Sequence, residues 1–195
     1  AYVVTFRTID PLFVIDLENP QSPRVLGELK IPGYSTYLHP YSENLLLGFG
    51  YDVMTEGEQA YNLGLKVSLF DISDFNNPRE VSTLLLGGSG SYAEVLYNHK
   101  SLLFSREKNI IAFPATLANP GSNDPRIYTG PSYQGLIVLG LDDSRQLYVR
   151  GSVTHFDKLA DPFGPSAELN DKDYPAFYGY DAIYRSVYIG DILYT

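Results

Sequence analysis

Val14-Ile15-Asp16-Leu17-Glu18-Asn19-Pro20-Gln21-Ser22-Pro23-Arg24-Val25 is matched, fifty-five residues on, by Leu69-Phe70-Asp71-Ile72-Ser73-Asp74-Phe75-Asn76-Asn77-Pro78-Arg79-Glu80-Val81. In both copies Pro-Arg stands seven and eight positions after the Asp. A degenerate third copy runs from Val138-Leu139-Gly140-Leu141 through Asp142-Asp143-Ser144-Arg145-Gln146 to Leu147-Tyr148-Val149. Each copy is an apolar strand, a polar turn and an alternating strand. That order reads as a hairpin, because Asp and Asn side chains close turns on their own backbone.

A second element recurs in phase with the first. Tyr34-Ser35-Thr36-Tyr37-Leu38, Tyr92-Ala93-Glu94-Val95-Leu96 and Tyr180-Asp181-Ala182-Ile183-Tyr184 align without gaps, each before a polar corner and another apolar run. One unit then comprises strand a (34–41), b (45–51), c (64–72) and d (80–86). The next comprises a (92–104), b (110–117), c (135–141) and d (147–154). Residues 2–6, 12–17 and 25–31 read as b, c and d of a unit before these. Residues 183–189 read as strand a of a unit after them, with 192–195 starting b. No stretch has a helical period.

Serial four-stranded antiparallel units predict an all-β fold, a β-propeller fragment of four-stranded antiparallel blades. The blades are 34–90 and 91–157, with partial blades at 1–33 and 180–195 and an insertion at 156–179. A β-sandwich also uses short strands, but it has no reason to repeat one Asp-to-Pro-Arg turn in register. The chain begins and ends in strand-like sequence. This predicts a ring-shaped domain cut at both ends, with self-association of the fragment through open blade faces or edges.

Composition narrows the chemistry. The 195 residues carry 14 Lys plus Arg against 23 Asp plus Glu, a net charge of −9, with 17 Tyr, 10 Phe and neither Cys nor Trp. Acidity argues against nucleic acid as partner. Without Cys there is no disulfide, thiolate ligand or Cys nucleophile. No apolar run approaches the roughly 18 residues of a membrane span, so no membrane insertion is expected. Absent Trp weighs against the usual WD40 blade, the sialidase Asp-box and tryptophan-docked quinoprotein blades.

Four stretches carry a family resemblance: residues 2–17, 31–40, 64–74 and 188–195, the last reading Tyr188-Ile189-Gly190-Asp191-Ile192-Leu193-Tyr194-Thr195. They resemble the bacterial and archaeal secreted proteins with a C-terminal β-propeller domain, a family described as distantly related to WD40 repeats and functionally uncharacterised. The resemblance implies a propeller in a secreted, extracellular or cell-surface setting. It carries no catalytic residues to transfer.

In a four-stranded meander the b–c connections and the d–a links emerge at one end. The long insertions 52–63, 118–134 and 156–179 all fall there, and loops of that length are commonly functional. They hold nine acids (Asp52, Glu56, Glu58, Asp124, Asp157, Asp161, Glu168, Asp171 and Asp173) against Arg126, Lys158 and Lys172. Aromatics, Tyr128 and Phe163 among them, are interleaved. This predicts a recognition face with aromatic anchors in a polar rim, or else loops whose charge serves solubility. Tyr34, Tyr92 and Tyr180 open their a-strands at this end, with Glu94 and Asp181 beside them, where strand a lines the channel.

The candidate binding residues are therefore Tyr34, Tyr92, Glu94, Tyr180, Asp181, Tyr128 and Phe163. No cofactor is implied, and Ca²⁺ is the one ion a Glu94–Asp181 pair would suit. Asp71-Ile72-Ser73-Asp74-Phe75-Asn76 lacks the Gly and terminal Glu of a calcium loop and reads as a structural turn. His39, His99 and His155 fall on different ends of their strands, against a zinc triad. No serine stands in a nucleophile elbow, and Gly87-Gly88-Ser89-Gly90-Ser91 has no phosphate-loop Lys. The leading expectation is a non-catalytic module that binds protein or polysaccharide. The alternatives are a carbohydrate-active hydrolase or lyase using the channel-mouth carboxylates, and a purely structural spacer.

Overall fold

Leu45-Leu46-Leu47-Gly48-Phe49-Gly50-Tyr51 puts apolar or small residues on both faces of a strand, a pattern satisfied only between two other layers. The computed structural model describes residues 1–5, 11–57, 59–119, 124, 126–128, 130–156 and 181–195 and supplies those layers. Strands β1 (Tyr2–Val4), β2 (Leu12–Asp16) and β3 (Arg24–Leu29) form a first antiparallel sheet. Strands β4 (Tyr34–Pro40), β5 (Leu45–Glu56), β6 (Gln59–Asp71) and β7 (Arg79–Leu86) form a second, in sequence order. In the third, β8 (Tyr92–Ala93) and β9 (Leu103–Ser105) share one edge of β10 (Ile110–Ala118), followed by β11 (Pro131–Leu141) and β12 (Leu147–Val153). Strands β13 (Val187–Ile189) and β14 (Ile192–Tyr194) pair as a hairpin.

The sheets stack face on face in chain order. Leu47, Phe49 and Leu69 of the second sheet meet Ile111, Phe113 and Ile137 of the third in the largest core, where the Phe49 and Phe113 rings stand edge to face at 5.5 Å. The opposite face of the second sheet, Leu46, Phe70 and Ile72, packs on Leu12 of the first. The opposite face of the third, Ala112 and Leu136, packs on Ile183. A two-sheet sandwich has one such core. Serial cores between successive meanders are the propeller's arrangement.

The repeated Asp does what the sequence reading assigns it. Asp16 Oδ1 accepts the Glu18 N–H at 2.8 Å and Asp71 Oδ1 accepts that of Ser73 at 2.9 Å. Asn19 and Asp74 then close a second turn each, onto Gln21 and Asn76. These backbone hydrogen bonds, with Arg24 and Arg145 alongside, hold the Asp16 and Asp71 carboxyls below the usual carboxylate range. The Arg partners differ: Asp16 pairs with Arg24 of its own hairpin at 2.6 Å, Asp71 with Arg145 of the next sheet at 2.9 Å. The third copy is degenerate because its hairpin runs to the Leu141–Leu147 pair, and Asp142 closes the shorter turn on the Gln146 N–H.

A bulge repeats in three of the sheets at a place no residue pattern marks. The c–d pairing shifts between Val14 and Ile15, between Leu69 and Phe70, and between Val138 and Leu139. The skipped outer residues are Leu26, Val81 and Arg150. All three bulges sit at equivalent places and add local twist to the outer edge of each sheet.

Three expectations are corrected. Strand a of the third sheet does not run unbroken over 92–104: two 3₁₀ turns, Glu94–Leu96 and His99–Ser101, separate β8 from β9. Side chains cause the detour, since the Glu94 carboxylate accepts from Asn98 and Asn98 in turn accepts from the Lys100 N–H. The insertion 52–63 is largely strand, β5 and β6 pairing out to Glu56 and Gln59. Strand a of the last unit is confined to β13. Residues 181–186 lie outside any strand, and the Gln134 side chain pairs with Ile183 in place of a backbone neighbour.

The link between the first two sheets is tied by a buried ion pair. Lys66 on β6 donates to the Pro32 carbonyl at 2.9 Å and lies 3.1 Å from the Glu80 carboxylate, with its side chain 7% exposed and that of Glu80 19%.

Candidate functional site

At the end where the b–c hairpins and the d–a links emerge, aromatic side chains gather. Tyr34 opens β4 and faces Tyr51 of β5 across the Tyr34–Tyr51 pair, ring centroids 5.7 Å apart. Tyr92 opens β8 and stacks on Tyr97 at 6.1 Å. Burial, with Tyr97, Tyr34 and Tyr92 close by, pushes the Tyr51 hydroxyl well above its ordinary value. The Tyr92 hydroxyl is pushed up to about 12 by burial and by its bond to Glu94. Tyr34, Tyr51, Tyr92 and Tyr97 thus form a band of phenols.

The Glu94 carboxylate accepts from the Tyr92 hydroxyl at 2.9 Å and from the Asn98 amide at 3.2 Å. The 3₁₀ turn that interrupts strand a is what aims it back toward Tyr92. Beyond it lies a cavity of about 320 Å³, walled by Tyr92, Glu94, Thr116, Tyr128, Gln134 and Tyr184 among others. Tyr92, Tyr128 and Tyr184 are all exposed in part, at 41%, 63% and 59%. The Gln134 amide is buried, and both its groups are spent on Ile183, donating to its carbonyl at 2.8 Å and accepting from its N–H at 3.1 Å.

Tyr128 is placed by a glycine. Gly90 has φ +95° and its Cα lies against the Tyr128 ring, so that a Cβ there would overlap the ring. A left-handed backbone costs an L-residue about 1–2 kcal/mol. Gly90→Ala is therefore expected to lower Tm by roughly 2–8 °C and to move the Tyr128 ring. An unchanged Tm would contradict that account of the link.

Arg126 ties the two b–c connections together. Its guanidinium bonds the carboxylates of Asp124, at 2.7 Å, and of Glu56 at the β5–β6 tip, and lies 5.5 Å from the Tyr61 ring centroid. Arg126 holds the Asp124 carboxyl down to about 2. So Glu56 and Asp124, two acids of the expected acidic face, share one arginine and keep one net negative charge between them. In the described part the face is aromatic before it is acidic. Of the other insertion acids Asp52 is described, while the remainder lie outside the described residues.

The sequence-derived candidates divide as follows. Tyr92, Glu94 and Tyr128 converge on the cavity. Tyr34 belongs to the adjoining phenol band. Asp181 is exposed and is not among the residues that wall the cavity. Tyr180 and Phe163 lie outside the described residues, as does nearly all of the 156–179 insertion. No group of three or more His, Cys, Asp or Glu side chains is placed to hold a metal ion among the described residues. His39 and His99 flank Tyr37, which bonds His39 Nδ1 at 2.9 Å, and burial lowers the His39 pKa.

Tyr97, Tyr184 and Arg126 escaped the sequence reading. Tyr184 had a signal: its aligned counterparts are Leu38 and Leu96, so a tyrosine there replaces a core leucine. Arg126, a lone base between acidic hairpins, had a weaker one.

The family model described as beta propeller domain matches residues 1–195. An uncharacterised protein of Methanocaldococcus jannaschii is 49% identical over 115 residues, which cover 59% of this chain and 17% of that protein. An uncharacterised protein of Archaeoglobus fulgidus is 45% identical over 115 residues, with the same shares. The matched stretch is thus a small part of either relative. No solved structure is significantly similar to the chain.

Proposed function

This chain belongs to the beta propeller domain family, and from that premise we propose that it is a non-catalytic interaction module. Its binding surface is the cavity beside Tyr92, with Glu94 and Tyr128 as further contacts and Tyr34 in the adjoining band. The observation that carries the reading is the convergence of three partly exposed tyrosines on one cavity of about 320 Å³. Rigid rings, Tyr92 at a strand end and Tyr128 and Tyr184 on connecting segments, give contact area at small entropic cost, as binding hot spots do. The partner is a protein or a polysaccharide, in an extracellular or cell-surface setting supported by the resemblance of the strand motifs to secreted proteins.

A second carboxylate opposite Glu94 would favour acid–base chemistry on a glycoside. Asp181 does not supply one in the cavity wall, and binding is the better-supported reading.

The test is retention of the chain on immobilised polysaccharides and on cell-envelope protein fractions. Tyr92→Ala/Tyr128→Ala should lose retention at least ten-fold, the size of two hot-spot truncations, with its fold intact by circular dichroism. Equal retention of the double variant would overturn the assignment of this surface.

A further inference from the structure

The described wall of the cavity is electrostatically one-sided. Glu94 is an anion, and Tyr92, Tyr128 and Tyr184 bring aromatic rings, whose faces carry negative potential. No Lys, Arg or His is among the described wall residues. The nearby Arg126 is already committed to Glu56 and Asp124.

Among the polar groups of the wall, the Gln134 amide donates to the Ile183 carbonyl and the Tyr92 hydroxyl donates to Glu94, while the hydroxyls of Thr116, Tyr128 and Tyr184 can donate or accept. Glu94 is the charged acceptor: each of its oxygens accepts one bond and keeps room for another, since a carboxylate offers about four acceptor sites. An ammonium group brings three donors and no acceptor, and aromatic faces attract it electrostatically.

We infer that this cavity takes an alkylammonium group, of the kind a lysine side chain on a partner protein presents. The inference rests on the proposed binding role of the cavity and names its ligand chemistry. The aliphatic stem would lie along the tyrosine rings and the charged head at Glu94.

Isothermal titration of the 195-residue chain with N-acetyl-lysine methylamide tests it, with N-acetyl-norleucine methylamide as the uncharged control and cellobiose as the neutral sugar. The lysine probe should bind, and the norleucine probe should bind at least ten-fold more weakly. Glu94→Gln should weaken the lysine probe about ten-fold. Tyr184→Leu, at an exposed position outside the cores, should weaken it several-fold and covers the case in which Glu94→Gln disturbs its 3₁₀ turn.

Absence of lysine-probe binding, equal binding of norleucine, or indifference to both substitutions overturns the inference. Cellobiose binding without lysine binding overturns it while leaving the interaction module standing. Silence from all three probes, together with no retention in the Tyr92→Ala/Tyr128→Ala comparison, overturns both.

Discussion

Lys66→Met is expected to destabilise the chain by about 3–5 kcal/mol, the cost of leaving a buried charge without its partner. Lys66 is almost wholly enclosed and is the cation beside Glu80, at 3.1 Å. Glu80 Oε1 is buried without a hydrogen bond, so the ion pair is what compensates it. Removing the ammonium also frees the Pro32 carbonyl in the link to the first sheet. For a chain of this size the loss corresponds to a fall in Tm of roughly 6–20 °C. Lys66→Met/Glu80→Met should recover most of it, because replacing both members of a buried pair by apolar side chains is often neutral. A single variant as stable as the parent would show that the pair is solvated and unimportant.

Phe113→Ala is the second large effect, about 3–5 kcal/mol from lost burial and the cavity left behind. The residue is 1% exposed and meets Phe49 across the interface of the second and third sheets. Because both sheets own that core, amide exchange should quicken in β5 as well as in β10. Phe113→Leu should recover more than half of the loss. Faster exchange confined to β10 would mean that the sheets do not share one cooperative core.

The fold was legible where the signal is local. An Asp that accepts an N–H two residues on writes its turn into the sequence, and the 55-residue spacing of Asp16 and Asp71 carried the rest. The strand at Leu45–Tyr51 was legible as well, and its unbroken run of apolar and small residues suits burial on both faces. The c–d bulges were not legible, because skipping Leu26, Val81 or Arg150 is a property of two paired strands and not of either alone. The break in strand a at Glu94–Ser101 depends on side-chain bonds that compete with extension, which residue type alone does not decide.

For the site, the aligned tyrosines Tyr34 and Tyr92 lie at the end of the sheets where the cavity opens. Tyr92 and Glu94 reach the cavity directly, and Tyr128 reaches it because Gly90 leaves room for its ring. The pairing within that end was not legible from composition: Arg126 and Glu56 are 70 positions apart in sequence, and their contact exists only once two sheets are stacked.

The account's central claim is that binding takes place in the tyrosine-walled cavity and not at the opposite, c–d turn end. Amide chemical-shift mapping of the ¹⁵N-labelled chain, titrated with N-acetyl-lysine methylamide and with cellobiose, tests it most directly. The predicted result is saturable shifts from at least one probe, confined to Gly90, Tyr92, Glu94, Thr116, Tyr128, Ile183 and Tyr184. Shifts confined to the turns around Asp71 and Arg145, or no saturable shift from either probe together with no retention of the chain on any immobilised fraction, would contradict it.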